Sequence, residues 1–149
     1  MIEYENDSVW MEFSIEGFQR IECPDNWSES LMDDPENYLV AADLSVSTTP
    51  AMAETEMNEI IPGFTVSFGS NWLGFTGDGK RINEIRTPVT YNCLDGSEEL
   101  PWEIGPGEEA RGLVVFEVPD LQGEVVYRPW YLDGGGWSWE FDVTQSSGA

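Results

Sequence analysis

Hydrophobic and polar residues alternate along most of this chain with a period of two. Alternating or densely apolar runs occupy residues 9–16, 38–46, 64–68, 89–93, 113–118, 125–127 and 137–143. The clearest run places Trp137, Trp139 and Phe141 on one side of the chain and Ser138 and Glu140 on the other. Because successive side chains of a strand point to opposite faces, this pattern predicts half-buried β-strands rather than amphipathic helices.

Glycine-containing turn sequences separate the predicted strands. They stand at Gly77-Asp78-Gly79, Asp95-Gly96 and Asp133-Gly134-Gly135-Gly136, and prolines punctuate most other connections. Gly and Asp tolerate the positive φ angles that tight hairpin turns require. About seven short strands separated by such turns predict an antiparallel sandwich or barrel. The length of 149 residues is enough for one domain.

The chain is strongly acidic. It contains 29 Asp and Glu against 6 Lys and Arg, which gives a formal net charge of −23 at pH 7. Direct binding to nucleic acid or to an anionic membrane surface is almost excluded, because neutralising phosphates needs clusters of basic residues. Three interpretations of the acidity stay open: a solvated surface, divalent-cation binding, or an imitation of the DNA backbone that attracts a basic protein.

Acidic residues cluster in two predicted loops, and together they form a candidate acidic patch. Its members are Asp33, Asp34, Glu36, Glu54, Glu56 and Glu59. Calcium takes about six to eight oxygen ligands, and neither loop has the spacing of an EF-hand. We therefore predict a solvated surface with no metal site, and calcium binding is the alternative that no motif supports.

Histidine is absent from the sequence. Its absence removes the commonest general base, the commonest transition-metal ligand and the usual pH-sensitive side chain. Ser–His–Asp and Cys–His catalysis cannot be built, and two cysteines with carboxylates match known zinc sites poorly. We therefore expect a protein that is not an enzyme and that uses no cofactor.

Cys23 and Cys93 are the two cysteines of the chain, and they belong to no CxxC pair. Two buried free thiols are one interpretation. A disulfide is favoured, since closing so long a loop would stabilise the fold by about 4 kcal/mol and would indicate an oxidising compartment. Cys93 continues the alternation of Val89 and Tyr91 on a predicted strand, so both cysteines are expected to reach the core between two sheets.

Aromatic residues are abundant, with seven Trp, five Tyr and seven Phe. Most are expected in the core, because large aromatic side chains dominate such interiors. A surface role is the alternative for residues in a loop and beside a Gly-rich turn, and these form a candidate binding set: Trp102, Trp130, Tyr131 and Asp133. Trp130 and Tyr131 are consecutive, so one of them points out of the sheet if this segment is extended, and both residue types are favoured at interfaces.

The stretch from Gly105 to Pro119 (Gly-Pro-Gly-Glu-Glu-Ala-Arg-Gly-Leu-Val-Val-Phe-Glu-Val-Pro) resembles a segment of a bacterial and archaeal protein family. Its members are telokin-like, immunoglobulin-fold extracellular domains of unknown function, related to the immunoprotective extracellular protein of mycobacteria. Three further pieces fit the family in order. Residues 38–46 resemble its central strand, residues 68–79 a strand leading into an Asp-Gly hairpin, and residues 137–141 the closing edge strand.

The resemblance implies an all-β, immunoglobulin-like antiparallel β-sandwich of about seven to nine strands over residues 8–143. Residues 1–7 would be an N-terminal extension and residues 144–149 a disordered tail. Within the matched stretch, Pro106-Gly107 predicts a turn and Gly112 a bulge or a close strand crossing. The family is mostly secreted, which implies a non-enzymatic extracellular or cell-envelope binding or adaptor domain with a protein partner.

The start of the sequence favours a second interpretation. Met1 opens no basic-then-apolar secretory signal, and no stretch reaches the roughly 18–20 apolar residues of a membrane span. From the resemblance we expect a secreted or cell-envelope location without membrane insertion. The alternative is a cytoplasmic, phage-type inhibitor that imitates DNA and binds a basic protein.

Overall fold

The computed structural model describes residues 2–4, 8–23, 36–50, 67–82, 84–94, 98–128 and 136–144. Within these ranges the chain forms β1 (Ile2–Tyr4), β2 (Ser8–Ile21), β3 (Tyr38–Thr48), β4 (Trp72–Thr76), β5 (Arg81–Ile82), α1 (Pro88–Asn92), β6 (Glu109–Val118), β7 (Gln122–Tyr127) and β8 (Trp137–Asp142). The strands pair antiparallel in two four-stranded sheets, ordered β1-β2-β3-β6 and β5-β4-β7-β8. The predicted all-β, immunoglobulin-like antiparallel sandwich is confirmed.

The main core lies between the two sheets and is rich in aromatic side chains. Phe13 of β2 contacts Phe68 and Trp137, with ring centroids 5.0 and 4.8 Å apart. Trp72 of β4 contacts Phe116 of β6 at 5.0 Å. Edge-to-face packing of this kind is the geometry that aromatic rings prefer. The alternation read from the sequence therefore places these side chains on the inner faces.

The first sheet is buried on both faces along β3. Val40, Ala42 and Leu44 belong to the inter-sheet core, whereas Leu39 and Ala41 belong to a second hydrophobic cluster. Since neighbouring residues of a strand point to opposite faces, this second cluster covers the outer face of the sheet. It also contains Val89 of α1, so that the helix covers the outer face of this sheet.

The helix α1 corrects the prediction of a strand at residues 89–93. Pro88 stands at the first helical positions, where a missing N–H costs nothing. The Thr90 hydroxyl accepts a hydrogen bond from the Thr87 backbone N–H at 2.9 Å, as in a capping box. Val89 consequently points into the outer cluster, while Tyr91, predicted to point inward, is exposed.

The disulfide between Cys23 and Cys93 is confirmed, with the two Cα atoms 4.8 Å apart. Its position is not the predicted one. Both cysteines pack in the outer cluster with Val89 and Val115, and not in the core between the sheets. The bond joins the segment after β2 to the residue that follows α1, and it thereby holds the helix against the first sheet.

The edge of β6 that does not pair with β3 is covered by two other segments of the chain. Leu113 donates its N–H to the carbonyl of Glu98 and accepts a hydrogen bond from Leu100, at 2.9 and 3.1 Å. Further along, Glu117 donates its N–H to the Ile85 carbonyl at 2.9 Å. Gly112 makes the crossing possible, because a Cβ there would lie 2.4 Å from the Leu100 nitrogen. The predicted close strand crossing at this glycine is confirmed.

Both turns that the sequence predicted within the described ranges are present. At the tip of the β4–β5 hairpin, Gly79 adopts a φ of +89° and donates a hydrogen bond to the Thr76 carbonyl at 3.0 Å. Gly107, in the turn that precedes β6, has a φ of +70°. Glycine adopts such angles without the steric cost that a side chain brings.

Several predictions fall on residues that the structure does not describe. These are most of the predicted strand at residues 64–68, the turn at 95–96, most of the turn at 133–136, and the tail after residue 144. Ser67 and Phe68, the described end of that predicted strand, belong to no strand. Of the predicted N-terminal extension, residues 2–4 form β1 and pair with β2. The boundaries proposed for the domain therefore stay predictions.

Candidate functional site

Two exposed aromatic side chains lie together on the outer side of the first sheet. Trp102, in the loop before β6, and Tyr91 of α1 are exposed by 47% and 39% of their surfaces. Their rings stack with centroids 5.5 Å apart and planes inclined by 28°. Among the described residues these are the large hydrophobic side chains that the fold leaves exposed, so their position needs a cause other than burial.

Arg86 holds this pair of rings against the sheet. Its Nε donates a hydrogen bond to the Gly69 carbonyl at 2.9 Å, and a terminal nitrogen donates to the Val115 carbonyl at 2.7 Å. The guanidinium carbon lies 4.4 Å from the centroid of the Tyr91 ring and 5.9 Å from that of Trp102. This is the arrangement of a cation–π interaction. We call Arg86, Tyr91 and Trp102 the aromatic platform.

The charge of Arg86 is partly removed from water. Burial lowers the pKa of its guanidinium, and the neighbouring Tyr91 and Glu99 act in the opposite direction. An arginine stays protonated even so. The carbonyls of Gly69 and Val115 therefore receive a charge-assisted pair of hydrogen bonds that fixes the base of the platform.

Gly69 allows Trp102 to lie flat against the protein. A Cβ at this position would lie 2.3 to 2.8 Å from three carbon atoms of the indole ring. Real side chains do not approach so closely, so any larger residue at position 69 would displace Trp102. The platform is thus a specifically packed arrangement of one glycine, one arginine and two aromatic residues.

A buried carboxylate anchors the start of α1. Glu117 of β6, with 1% of its surface exposed, accepts a hydrogen bond from the Thr87 hydroxyl at 2.6 Å. It accepts another from the Asn37 amide at 2.7 Å. Buried charges are tolerated when hydrogen bonds satisfy them. Together with the disulfide at the other end of the helix, this contact fixes Tyr91 beside Trp102.

The aromatic platform contains no cavity for a small molecule. The space among Trp102, Arg86 and Leu100 has a volume of about 10 Å³. Sites for small ligands are clefts of roughly 300–1,000 Å³ that enclose most of the ligand. Exposed aromatic rings without a cavity suit contacts with macromolecules better than the enclosure of a small ligand.

A second surface is an open, acidic cleft of about 690 Å³ at the end of the second sheet. Its walls include Glu124 of β7 and Glu140 of β8, which stand directly opposite each other in the strand register. Asp142 lies on the same wall, and a hydrogen bond from the Thr144 hydroxyl lowers the pKa of its carboxyl group. The Asp142 carboxyl group therefore stays ionised to a lower pH than an ordinary aspartate does.

The opposed pair predicts a stabilising charge reversal. Like charges directly opposite on antiparallel strands repel, whereas opposite charges attract. We expect Glu140→Lys to raise the free energy of unfolding by about 0.5–1 kcal/mol in dilute buffer. The gain should shrink in 1 M salt, where the Debye length is about 3 Å. Urea unfolding at both salt concentrations measures it.

Glu12→Lys is the matched control, because Glu12 is exposed and its cross-strand partner is the uncharged Ser47. It makes the same change in net charge without relieving a direct pair. An equal gain in both variants would show that the stabilisation comes from net charge alone and not from the opposed carboxylates.

Of the binding set predicted from the sequence, Trp102 lies in the described part of the chain. The structure brings it together with Arg86 and Tyr91. Trp130, Tyr131 and Asp133 lie outside the described residues, as do all members of the predicted acidic patch except Glu36, which is exposed just before β3. The prediction that this patch is a solvated surface, and the alternative that it binds calcium, are therefore both untested.

Two negative findings hold for the ranges that the structure describes. No group of three or more His, Cys, Asp or Glu side chains there is arranged to hold a metal ion. No helix in the same ranges is long and apolar enough to cross a membrane.

The sequence pattern did not point to Arg86 or Tyr91 as surface residues. The signal that could have found Tyr91 is Thr87-Pro88, because Pro at the first helical position after a Thr is a typical helix start. A helical turn would have released Tyr91 from the inward face of the predicted strand. No local signal marks Arg86, since its partners Gly69 and Val115 are distant in sequence.

Comparison with known proteins gives a shared fold and no family. No protein-family model and no curated protein matches the chain. The fold is similar to that of YcdA from Bacillus subtilis, whose structure is described as that of "a putative lipoprotein", with a TM-score of 0.55 and 19% sequence identity. The match covers 95% of this chain and 39% of the Bacillus chain, so this chain spans about two fifths of that protein.

Proposed function

We propose that this chain is a non-enzymatic binding domain of the cell envelope or the extracellular space, which contacts a protein partner through the aromatic platform. The observation that carries the proposal is the exposed stack of Tyr91 on Trp102, fixed by Arg86. Trp, Tyr and Arg are the residue types most enriched among those that dominate binding energy at protein interfaces. We also propose membership of the telokin-like extracellular family, on the strength of the sequence resemblance and the sandwich fold.

The proposed location has two supports. The disulfide between Cys23 and Cys93 suits an oxidising compartment, because cytosolic thiols are usually kept reduced. The similar fold of a Bacillus protein described as a lipoprotein adds a second, independent support. The alternative of a cytoplasmic protein that imitates DNA gains support from net charge alone, and the disulfide weighs against it.

The test is capture of a partner from the envelope fraction of the cells that produce the protein. Wild-type protein and the variants Trp102→Ala and Gly69→Ala would be immobilised, and the retained proteins would be quantified by mass spectrometry. Truncating a dominant interface residue costs about 2 kcal/mol or more, which is roughly a 30-fold loss of affinity. We expect both variants to lose a partner that the wild type retains.

Gly17→Ala is the matched control for Gly69→Ala, because a Cβ at Gly17 meets nothing within 4 Å. It adds the same methyl group far from the platform and should retain the partner. Far-UV circular dichroism and melting temperature verify that each variant is folded. Equal retention of the same proteins by all four chains would refute the proposed binding surface.

A further inference from the structure

The surroundings of the aromatic platform are acidic. Glu103 directly follows Trp102 and is exposed, and Glu98, at the start of the same loop, is exposed as well. Glu99 lies close enough to Arg86 to affect its pKa electrostatically. The exposed Trp102 therefore belongs to a segment that carries three glutamates, on a chain whose net charge is −23.

The fold itself shows how the platform accommodates a cation. The guanidinium of Arg86 lies 4.4 Å from the Tyr91 ring centroid, with its hydrogen bonds directed to backbone carbonyls. Trp is the aromatic side chain that attracts cations most strongly. Nearly half of the surface of Trp102 stays exposed after this internal contact. The exposed part of the indole, next in sequence to the exposed Glu103, is thus available to an external guanidinium.

Resting on the proposed function, we propose that the aromatic platform binds an arginine side chain presented by a basic segment of the partner protein. The guanidinium stacks on Trp102 and pairs with Glu103. Arginine suits the site better than lysine, because its planar group stacks on rings and binds carboxylates through two hydrogen bonds. The net charge of −23 repels an acidic partner, and the same charge speeds the encounter with a basic one.

The experiment uses short, defined peptides as probes. Acetyl-Gly-Arg-Gly-Arg-Gly-amide, the equivalent lysine peptide and the equivalent glutamine peptide would be titrated into the ¹⁵N-labelled full chain at 0.15 M salt. The indole N–H signal of Trp102, assigned by its loss in Trp102→Ala, reports contact at the platform. We expect the arginine peptide to shift this signal at the lowest concentration, the lysine peptide at higher concentration, and the glutamine peptide not at all.

Variants distinguish binding at the platform from the nonspecific attraction between a cationic peptide and an acidic protein. Trp102→Ala leaves the net charge unchanged and should weaken arginine-peptide binding about tenfold. Glu103→Gln and Glu124→Gln each remove one negative charge, the first beside the platform and the second on the other sheet. We expect a threefold or greater loss for Glu103→Gln and almost none for Glu124→Gln.

Three results would overturn the inference. These are unchanged binding in Trp102→Ala, equal losses in Glu103→Gln and Glu124→Gln, or equal affinity for the arginine and glutamine peptides. If the envelope partner is still retained in a Trp102-dependent way while the arginine peptide fails to bind, the proposed function stands and the arginine is wrong. If Trp102→Ala changes neither the retention of the envelope partner nor the binding of the arginine peptide, both the proposed function and the arginine inference are wrong.

Discussion

Replacing both cysteines, as Cys23→Ala with Cys93→Ala, is expected to lower the free energy of unfolding by about 4 kcal/mol. The bond closes a loop with a sequence separation of 70 residues, and opening it returns that conformational freedom to the unfolded chain. The loss is a large fraction of the total stability of a typical domain. Urea unfolding of the variant and of the oxidised wild type gives the difference.

The disulfide also has a local effect that a second measurement detects. The helix α1 has five residues, and isolated helices of that length do not form in water. We expect faster hydrogen exchange in the double variant at the Thr90 amide, which donates to the Thr87 carbonyl. A reducing agent should destabilise the wild type and leave the variant unchanged. A difference below about 1 kcal/mol would contradict the loop-closure explanation.

A single methyl group at position 112 is expected to destabilise the fold by about 3 kcal/mol in Gly112→Ala. The Cβ would lie 2.4 Å from the Leu100 nitrogen and 2.7 Å from the Glu99 carbonyl carbon, so backbone has to move. Movement there breaks the hydrogen bonds that tie the crossing segment to Leu113. Thermal and urea unfolding measure the loss, and the indole signal of Trp102 should shift as the loop rearranges.

Gly77→Ala is the comparison for this substitution. A Cβ at Gly77 would make contacts no shorter than 3.8 Å, which is an ordinary packing distance. The same change at this turn should alter the free energy of unfolding by less than about 1 kcal/mol. Comparable losses in the two variants would show that the effect arises from glycine's backbone freedom and not from the close crossing.

The strands were predictable because their cause is local. Alternation of apolar and polar residues identifies one face of each strand, and Gly112 identifies the crossing because only a residue without a side chain fits there. The helix at Pro88–Asn92 was not predicted, although its start signal is present in Thr87-Pro88. The alternation of Val89, Tyr91 and Cys93 is compatible with both a strand and a single helical turn, and run length alone cannot separate them.

The platform was only partly predictable. Trp102 drew attention as an aromatic residue in a polar loop, but its partners come from other parts of the chain. Gly69, Arg86 and Val115 come together only through the packing of the folded chain. No local pattern in the sequence predicts that contact. The position of the disulfide was not predicted for the same reason. Both cysteines lie in the hydrophobic cluster on the outer face of the first sheet, and that cluster depends on the packing of α1.

The two segments that cover the edge of β6 also bear on how copies of this protein behave toward one another. A bare strand edge pairs readily with another strand, which leads to aggregation. Here the Arg86 side chain donates a hydrogen bond to the Val115 carbonyl, and the Ile85 carbonyl accepts one from the Glu117 N–H. The side chain that holds the aromatic platform in place thus also blocks the pairing of another strand with this edge. Loss of the Arg86 side chain would leave the Val115 carbonyl without this hydrogen bond and would favour self-association through the edge of β6.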